Sequence, residues 1–444
     1  MPYRPAISKE LKLPGKSWNH VIKGVLSTAS LLIIIGSVTA QDYTFDIPDL
    51  NTSSGLSLSG HLDGRIKGLG LNSDSPLRLV QMSDAGSGNI QSQWLSELYL
   101  DGDYQTDKIA LHIGTYSRYE TPTTSTFSVF ELYNRFSLGQ RFNLAFGKQT
   151  SNWGKGYAYN PAGFINPPKD PENPELAREG QMLLKLGYVQ SFSRPAFQTV
   201  DMELVLLPPT TLLNDRYVDP AEIAIASKFY VLSMDTDLEL YQYFHHSGDQ
   251  RLGVGFSRNI GPSIEVHGEY AKYDEKSSYS FSSASIQQTN KAGSEFLVGL
   301  RFINTRLTTT ILEYYHSDFG YSSSDIGKFS DNLENAILSQ DPVILQTARA
   351  LAQSFFFTKN IGQDYLYAKF SQPEPFDILY LTPSLQGIIN LNDRSLLLSP
   401  IISYKPYVNS EFILWSTVFL GDSDSEYGIK SADWSLELWL RIYF

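Results

Sequence analysis

The chain ends on "SLELWLRIYF", Ser435 to Phe444. Leu436, Leu438, Leu440, Ile442 and Phe444 take every second position, and Ser435, Glu437, Trp439, Arg441 and Tyr443 fill the gaps. Period two places each set on one face of a β-strand. Chain ends are usually frayed and polar. This one carries its apolar row to the terminal carboxylate, so it needs an apolar medium on one face. It also needs a strand to pair with, and the first strand, near Gly55 to Lys67, is the expected partner, which leaves no open edge.

The same alternation recurs from about residue 55 onward. "FELYNRFSLG" sets Phe130, Leu132, Phe136 and Leu138 against Glu131, Tyr133 and Arg135. "IEVHGEY" sets Ile264 and Val266 against Glu265, His267 and Glu269, and "EFLVGLRF" sets Phe296, Val298, Leu300 and Phe302 against Glu295, Gly299 and Arg301. In a soluble sandwich the apolar faces would meet across a core; in a membrane barrel they face lipid and the polar faces line a lumen. Connection lengths decide between these. Segments of this kind number about 18, with 16 as the other count. Links such as "LGQR", "NIGP" and "YVNS" are short, whereas 67–89, 151–179, 209–222, 275–291, 318–362 and 421–432 are long, and no long link falls on the short side. Short turns at one end and long loops at the other predict a transmembrane, antiparallel, up-and-down β-barrel over 55–444.

Composition agrees. A mean hydropathy of -0.21 is too polar for a helical membrane protein. With 27 Tyr and 25 Phe, the chain is rich in residues that favour strands. The absence of cysteine excludes disulfides and thiolate-metal sites. The net charge is -12, and nothing resembles a basic nucleic-acid-binding surface. Residues 1–24 are basic and polar, and Val25 to Ala40 form a short apolar stretch ending in Val38-Thr39-Ala40. That pattern predicts a signal peptide over 1–40, cut before Gln41, with 41–54 as a short periplasmic segment. A membrane anchor is the other reading, but the stretch is short for spanning.

Two insertions stand out. The third link on the long-loop side, 151–179, counting the short one at 120–125, is rich in Pro, Gly and Asn. It is either an exposed extracellular loop or a loop folded into the lumen. Mixed charges on a stiff frame suit a constriction, which makes Lys155, Lys169, Asp170, Glu172, Glu175 and Arg178 the candidates for it. The other insertion, 331–357, has helical spacing, with Asp341-Pro342 as an N-cap followed by Pro at the first helical position. A helical hairpin capping the loops is expected there; a movable plug or docking surface is the alternative.

No metalloprotease, nucleophile-elbow or phosphate-loop motif is present. The seven histidines include isolated wall positions such as His267, which suit a lining better than catalysis. No enzyme activity, cofactor or metal site is expected. The expected lumen lining comprises Glu97, Asp101, Glu131, Arg135, Glu239, Glu265, His267, Glu295, Arg301, Glu437 and Arg441. These side chains can pair across strands, and they also wet the interior. Their excess of acids predicts a weak preference for cations.

The final strand is similar to the C-terminal signature of Gram-negative outer-membrane barrels, carried here by Phe444, Ile442 and Leu440. The neighbouring aromatic is Tyr443 rather than position 442, so the likeness is to the terminal aromatic plus alternation. It implies recognition by the barrel assembly machinery and residence in outer-membrane lipid. "FGKQTSNWGKGY", Phe146 to Tyr157, resembles the G-[RK]-Q…W-G strand-to-loop region of porin-like families, with Gly147, Gln149, Trp153 and Gly154 matching. That likeness implies transport. The expected protein is a porin-like channel of the bacterial outer membrane that passes small polar solutes. The alternative is a barrel with an occluded lumen and a structural or surface-binding role. Oligomeric state is open. After outer-membrane fractionation the protein is expected to migrate differently on a gel before and after boiling. Recovery from the soluble periplasmic fraction would overturn the barrel.

Overall fold

The computed structural model describes residues 55–81, 89–121, 124–194, 196–209, 223–246, 248–281, 286–355 and 359–444. The expected signal peptide and the segment 41–54 lie outside the described residues.

The strands are β1 (Gly55–Leu71), β2 (Ile90–Gln105), β3 (Ile109–Glu120), β4 (Thr124–Leu138), β5 (Phe142–Gln149), β6 (Gln181–Arg194), β7 (Phe197–Leu207), β8 (Ala224–Ser233) and β9 (Thr236–His245). They continue as β10 (Gln250–Ile260), β11 (Ile264–Phe281), β12 (Ile286–Ile303), β13 (Thr309–Ser317), β14 (Asp364–Ser371), β15 (Leu381–Asn390), β16 (Leu396–Tyr407), β17 (Ser410–Leu420) and β18 (Ala432–Tyr443). All eighteen belong to one sheet in which each strand pairs with its sequence neighbours. β1 pairs antiparallel with both β2 and β18, and this closes the barrel.

The terminal strand takes the predicted place. His61 to Gly70 lie opposite Tyr443 to Trp434, and the chain end itself is paired: Gly60 N–H donates to the Phe444 carbonyl at 3.0 Å and Phe444 N–H donates to the Gly60 carbonyl at 3.1 Å. Leu436, Leu438, Leu440 and Phe444 lie on the outside, 40–57% exposed, whereas Trp439 is 7% exposed on the inner face. The closing seam carries its own charge network inside. Arg441 donates to Asp63 from Nε at 2.7 Å and Nη2 at 2.8 Å. Arg65 also reaches Asp63, at 3.1 Å, pairs with Glu97, and lies with its guanidinium carbon 3.6 Å from the Trp439 ring centroid. A buried carboxylate needs this many donors to offset its lost hydration.

Three departures from simple alternation matter. In β4 the ladder to β3 skips a residue, so Gly114 faces Glu131 and Thr115 faces Val129, leaving Phe130 as a bulge. The extra residue puts Phe130 and Glu131 on one face. Phe130 therefore turns inward and packs on Tyr116 (ring centroids 4.7 Å apart), not outward with Leu132 as alternation predicts. The β11–β12 hairpin extends through much of the link expected at 275–291; its outer part holds Tyr279 and Phe281 against the helices above. The third departure is β15, which starts at Leu381 rather than near residue 376, because Pro375–Asp377 form a 3-10 turn with Phe376 at φ 59°.

Helices gather over the long-loop end. α1 (Pro76–Gln81), which the sequence pattern does not announce, lies in the first long link, and α2 (Ser323–Ser339) and α3 (Pro342–Phe355) form the helical insertion. α2 begins before residue 331 because Ser322 and Asp325 form a reciprocal capping box. Asp341 accepts the Val343 N–H at 2.8 Å at the start of α3. Leu77, Val80, Phe281, Ile326, Phe329 and Leu333 make their shared core. Asp63→Ala would strand two arginines in the seam. Removing one partner of a buried pair costs about 3–5 kcal/mol, so the temperature at which the folded gel band is lost is expected to fall by about 5–10 °C.

Candidate functional site

The segment between β5 and β6, residues 150–180, does not stand outside the barrel. It folds inward, and both of its ends hang on the β4 bulge. Glu131 accepts from Thr150 N–H at 2.7 Å and Thr150 Oγ1 at 2.8 Å, while the Phe130 carbonyl accepts Gly180 N–H at 2.9 Å. The bulge that inverts Phe130 thus makes the root of the loop.

From that root the loop crosses to the far wall. Trp153 Nε1 donates to Glu203 of β7 at 2.8 Å, and Gly154 N–H donates to Tyr241 Oη of β9 at 3.1 Å. Two wall carboxylates then capture the backbone. Glu269 of β11 accepts from Lys155 N–H, from Gly156 N–H at 2.6 Å and from Ala162 N–H at 3.0 Å. Glu313 of β13 accepts from Tyr157 N–H and from Ala158 N–H at 2.8 Å. His267 supports Glu313 from the side, with Nε2 at 2.9 Å. Beyond them, Gln386 of β15 donates to the carbonyls of Pro171 at 3.2 Å and Glu172 at 2.8 Å. An irregular segment inside a barrel must find partners for its peptide groups, and these wall side chains supply them.

Local chemistry explains why the chain can make this path. Gly147 has φ +126°, and a Cβ there would meet the Leu132 carbonyl oxygen at 2.2 Å. Gly154 has φ +100° beside Asn160 and Glu269. Both conformations favour glycine. Trp153 is buried against Tyr241, and Tyr159 stacks on Tyr315 with ring centroids 4.4 Å apart. The loop is therefore packed as a small core within the lumen.

The six constriction candidates all lie on this loop but divide by partner. Lys155 pairs with Glu239 at 3.3 Å, and Glu175 with Lys369 at 2.9 Å. Asp170 and Glu172 share Lys359, at 3.3 and 3.2 Å, and Glu172 also faces Lys430 at 3.8 Å. Lys169 donates to the carbonyls of Gly156 and of Tyr157, the latter at 3.1 Å, and Arg178 donates to the Pro167 carbonyl at 3.2 Å. Burial and the attraction of Lys359 act on Glu172 in opposite senses, and the cations win: its carboxyl is held below the usual range. In the last long loop, burial pushes the Glu426 carboxyl up to about 7, although Tyr365 Oη, Asn390 and Ile361 N–H all donate to it.

The expected wall residues also form pairs. Glu97 accepts from Tyr116 at 2.6 Å; Asp101 lies 3.9 Å from His112; Glu265 lies 3.4 Å from Arg301 and 3.7 Å from His267. Glu295 binds Lys276 at 2.6 Å and Glu437 binds Lys67 at 2.9 Å. Arg135 leans toward the Tyr133 ring, 5.6 Å from its centroid. The residues the sequence pattern does not single out are Glu269, Glu313, Lys359 and Lys369. Glu269 sits in "IEVHGEY" beside Glu265, and nothing in that string tells which of the two will hold a loop.

The described architecture defines the class: a closed, antiparallel, eighteen-strand barrel crossed inside by the loop between β5 and β6. OccK8 (OprE) of Pseudomonas aeruginosa is similar, with a TM-score of 0.51 and 9% identity over 88% of this chain and 98% of that one. OccK5 (OpdH) of the same organism is similar with a TM-score of 0.50 and 8% identity, over 87% and 98%. A mutant Rh. blastica porin superposes less well, with a TM-score of 0.43 and 9% identity over 88% and 100%. No protein-family model and no curated protein matches the chain. At such identity the likeness to the two Pseudomonas barrels concerns the fold.

Glu269→Ala removes the acceptor for three loop N–H groups, each worth on the order of 1.5–3 kcal/mol when the acceptor is charged. Trypsin cleavage of the folded barrel after Lys155, Lys169 or Arg178 is expected to speed up at least about tenfold. Unchanged cleavage would show that Glu269 does not hold the loop.

Proposed function

We propose that this chain is an outer-membrane channel through which small polar solutes diffuse passively, with the 150–180 loop as its constriction. One observation carries the reading: the loop is held inside a polar barrel by backbone N–H groups on Glu269 and Glu313, so it sets an aperture of defined chemistry. Two cavities flank it. The outer one, ≈ 590 Å³, lies beneath the long loops near Asn360 and Phe319, and the inner one, ≈ 540 Å³, opens toward the short turns near Ile303 and Ser371. Among the described residues, Lys169 alone lines both. The similarity in fold to the two Pseudomonas barrels supports placement in outer-membrane lipid, where the assembly machinery would read the strand ending in Phe444. The barrel is a conduit in this reading and not an enzyme.

A second reading is favoured by the packed core that the loop makes with the wall, including Trp153, Ala162, Tyr241 and Tyr243. If the remaining space does not connect, the barrel is occluded and its helical cap is a binding surface. Single-channel recording in planar bilayers separates the two. The channel reading expects discrete conductance steps, and removal of 151–179 is expected to raise them several-fold. Equal steps with and without the loop would remove the constriction, and a silent, correctly folded barrel would favour occlusion.

A further inference from the structure

The inner face of β12 carries a glycine within "EFLVGLRF". Gly299 lies opposite His267 of β11 on one side and opposite Glu313 of β13 on the other, so the three form one row across the wall. A glycine inside a strand forfeits side-chain packing and often marks a close approach. Here the approach is that of an imidazole. A Cβ on Gly299 would meet His267 Nε2 at 2.0 Å, Cε1 at 2.5 Å and Cδ2 at 2.7 Å. The ring therefore passes over β12 where a side chain would stand, and its Nε2 comes within 2.9 Å of Glu313 Oε1, two strands away. Both residues are buried.

The chemistry of this contact fixes its direction. A carboxylate only accepts, so the ring nitrogen that faces it carries the proton, and Nε2–H donates to Glu313. On the other side Nδ1 lies 3.7 Å from Glu265, beyond hydrogen-bond reach. Glu269 takes three loop N–H groups by itself, whereas Glu313 takes two, from Tyr157 and Ala158, and the imidazole is its third donor. A buried carboxylate needs such donors, and a ring seated over Gly299 also keeps it from turning away. We infer that His267 is a positioning residue for the constriction: through the gap left by Gly299 it holds the Glu313 carboxylate in the orientation that receives the Tyr157 and Ala158 N–H groups, and so sets how far the loop projects into the lumen. His267, Gly156 and Tyr157 line the inner cavity together, so a shift of that backbone changes its opening. The inference deepens the channel reading and rests on it for the meaning of the aperture; the attachment of the loop can be read without current.

Hydrogen–deuterium exchange on the full barrel, folded in detergent and checked by its heat-modifiable migration, tests the row. His267→Ala is expected to speed exchange of the Tyr157 and Ala158 amides at least about tenfold. Gly299→Ala keeps the histidine but displaces its ring, and is expected to give the same increase. The double variant is expected to exceed neither single one, because both break one contact. His267→Gln can place an amide N–H where Nε2–H stood and is expected to stay within about threefold of wild type, whereas the shorter His267→Asn is expected to behave as His267→Ala. In planar bilayers His267→Ala is expected to give larger and noisier steps than wild type, with His267→Gln restoring them. Unchanged exchange in His267→Ala, additive effects in the double variant, or equal behaviour of the Gln and Asn variants overturns the positioning role. Wild-type steps in His267→Ala despite faster exchange overturn its bearing on the aperture. Faster exchange in a barrel that passes no current supports the positioning of the loop and overturns the channel.

Discussion

A peptide group cut off from water without a hydrogen bond costs several kcal/mol, and that constraint shapes the barrel. A sheet leaves no strand edge unpaired only by closing on itself. The pairing of β1 with β18 therefore decides whether a barrel exists at all, and the chain invests in that seam up to its last residue, where Phe444 and Gly60 exchange both backbone bonds. Beneath the ladder lies the Asp63–Arg441–Arg65 network, which is specific to this pair of strands. Once the seam is shut, period two gives the strands an apolar outer face and a polar inner one, broken locally where β4 bulges, and the inner wall carries the charges.

The same constraint then acts on the loop. Residues 150–180 have no ladder of their own, yet they lie within the barrel. Their N–H groups are met by Glu269 and Glu313, which in turn are buried charges in need of donors. Each side offsets the other's desolvation.

The helical cap is joined to this arrangement through side chains. Lys359, just beyond the helical insertion, holds Asp170 and Glu172 of the loop, and Glu426 of the last long loop accepts from Ile361 N–H and Tyr365. The far end of the inward loop is thus fixed by the other long loops as well as by the wall, and its near end by the β4 bulge.

The amino-acid sequence by itself determined the barrel, its strands and the placement of long loops at one end, because alternation and turn spacing are local and repeat around the wall. It also marked the loop after Gln149 as unusual through its Pro, Gly and Asn content, and located all six charged candidates on it. It did not reveal that Phe130 turns inward, since a bulge depends on how two strands register. Nor did it separate Glu269 and Glu313 from the other wall glutamates, or show α1, whose Leu77 and Val80 find their core only against distant helices. Those choices belong to tertiary structure for one physical reason. Whether a carboxylate is a lining charge or a backbone acceptor depends on which peptide groups, remote in sequence, are brought against it and cut off from water.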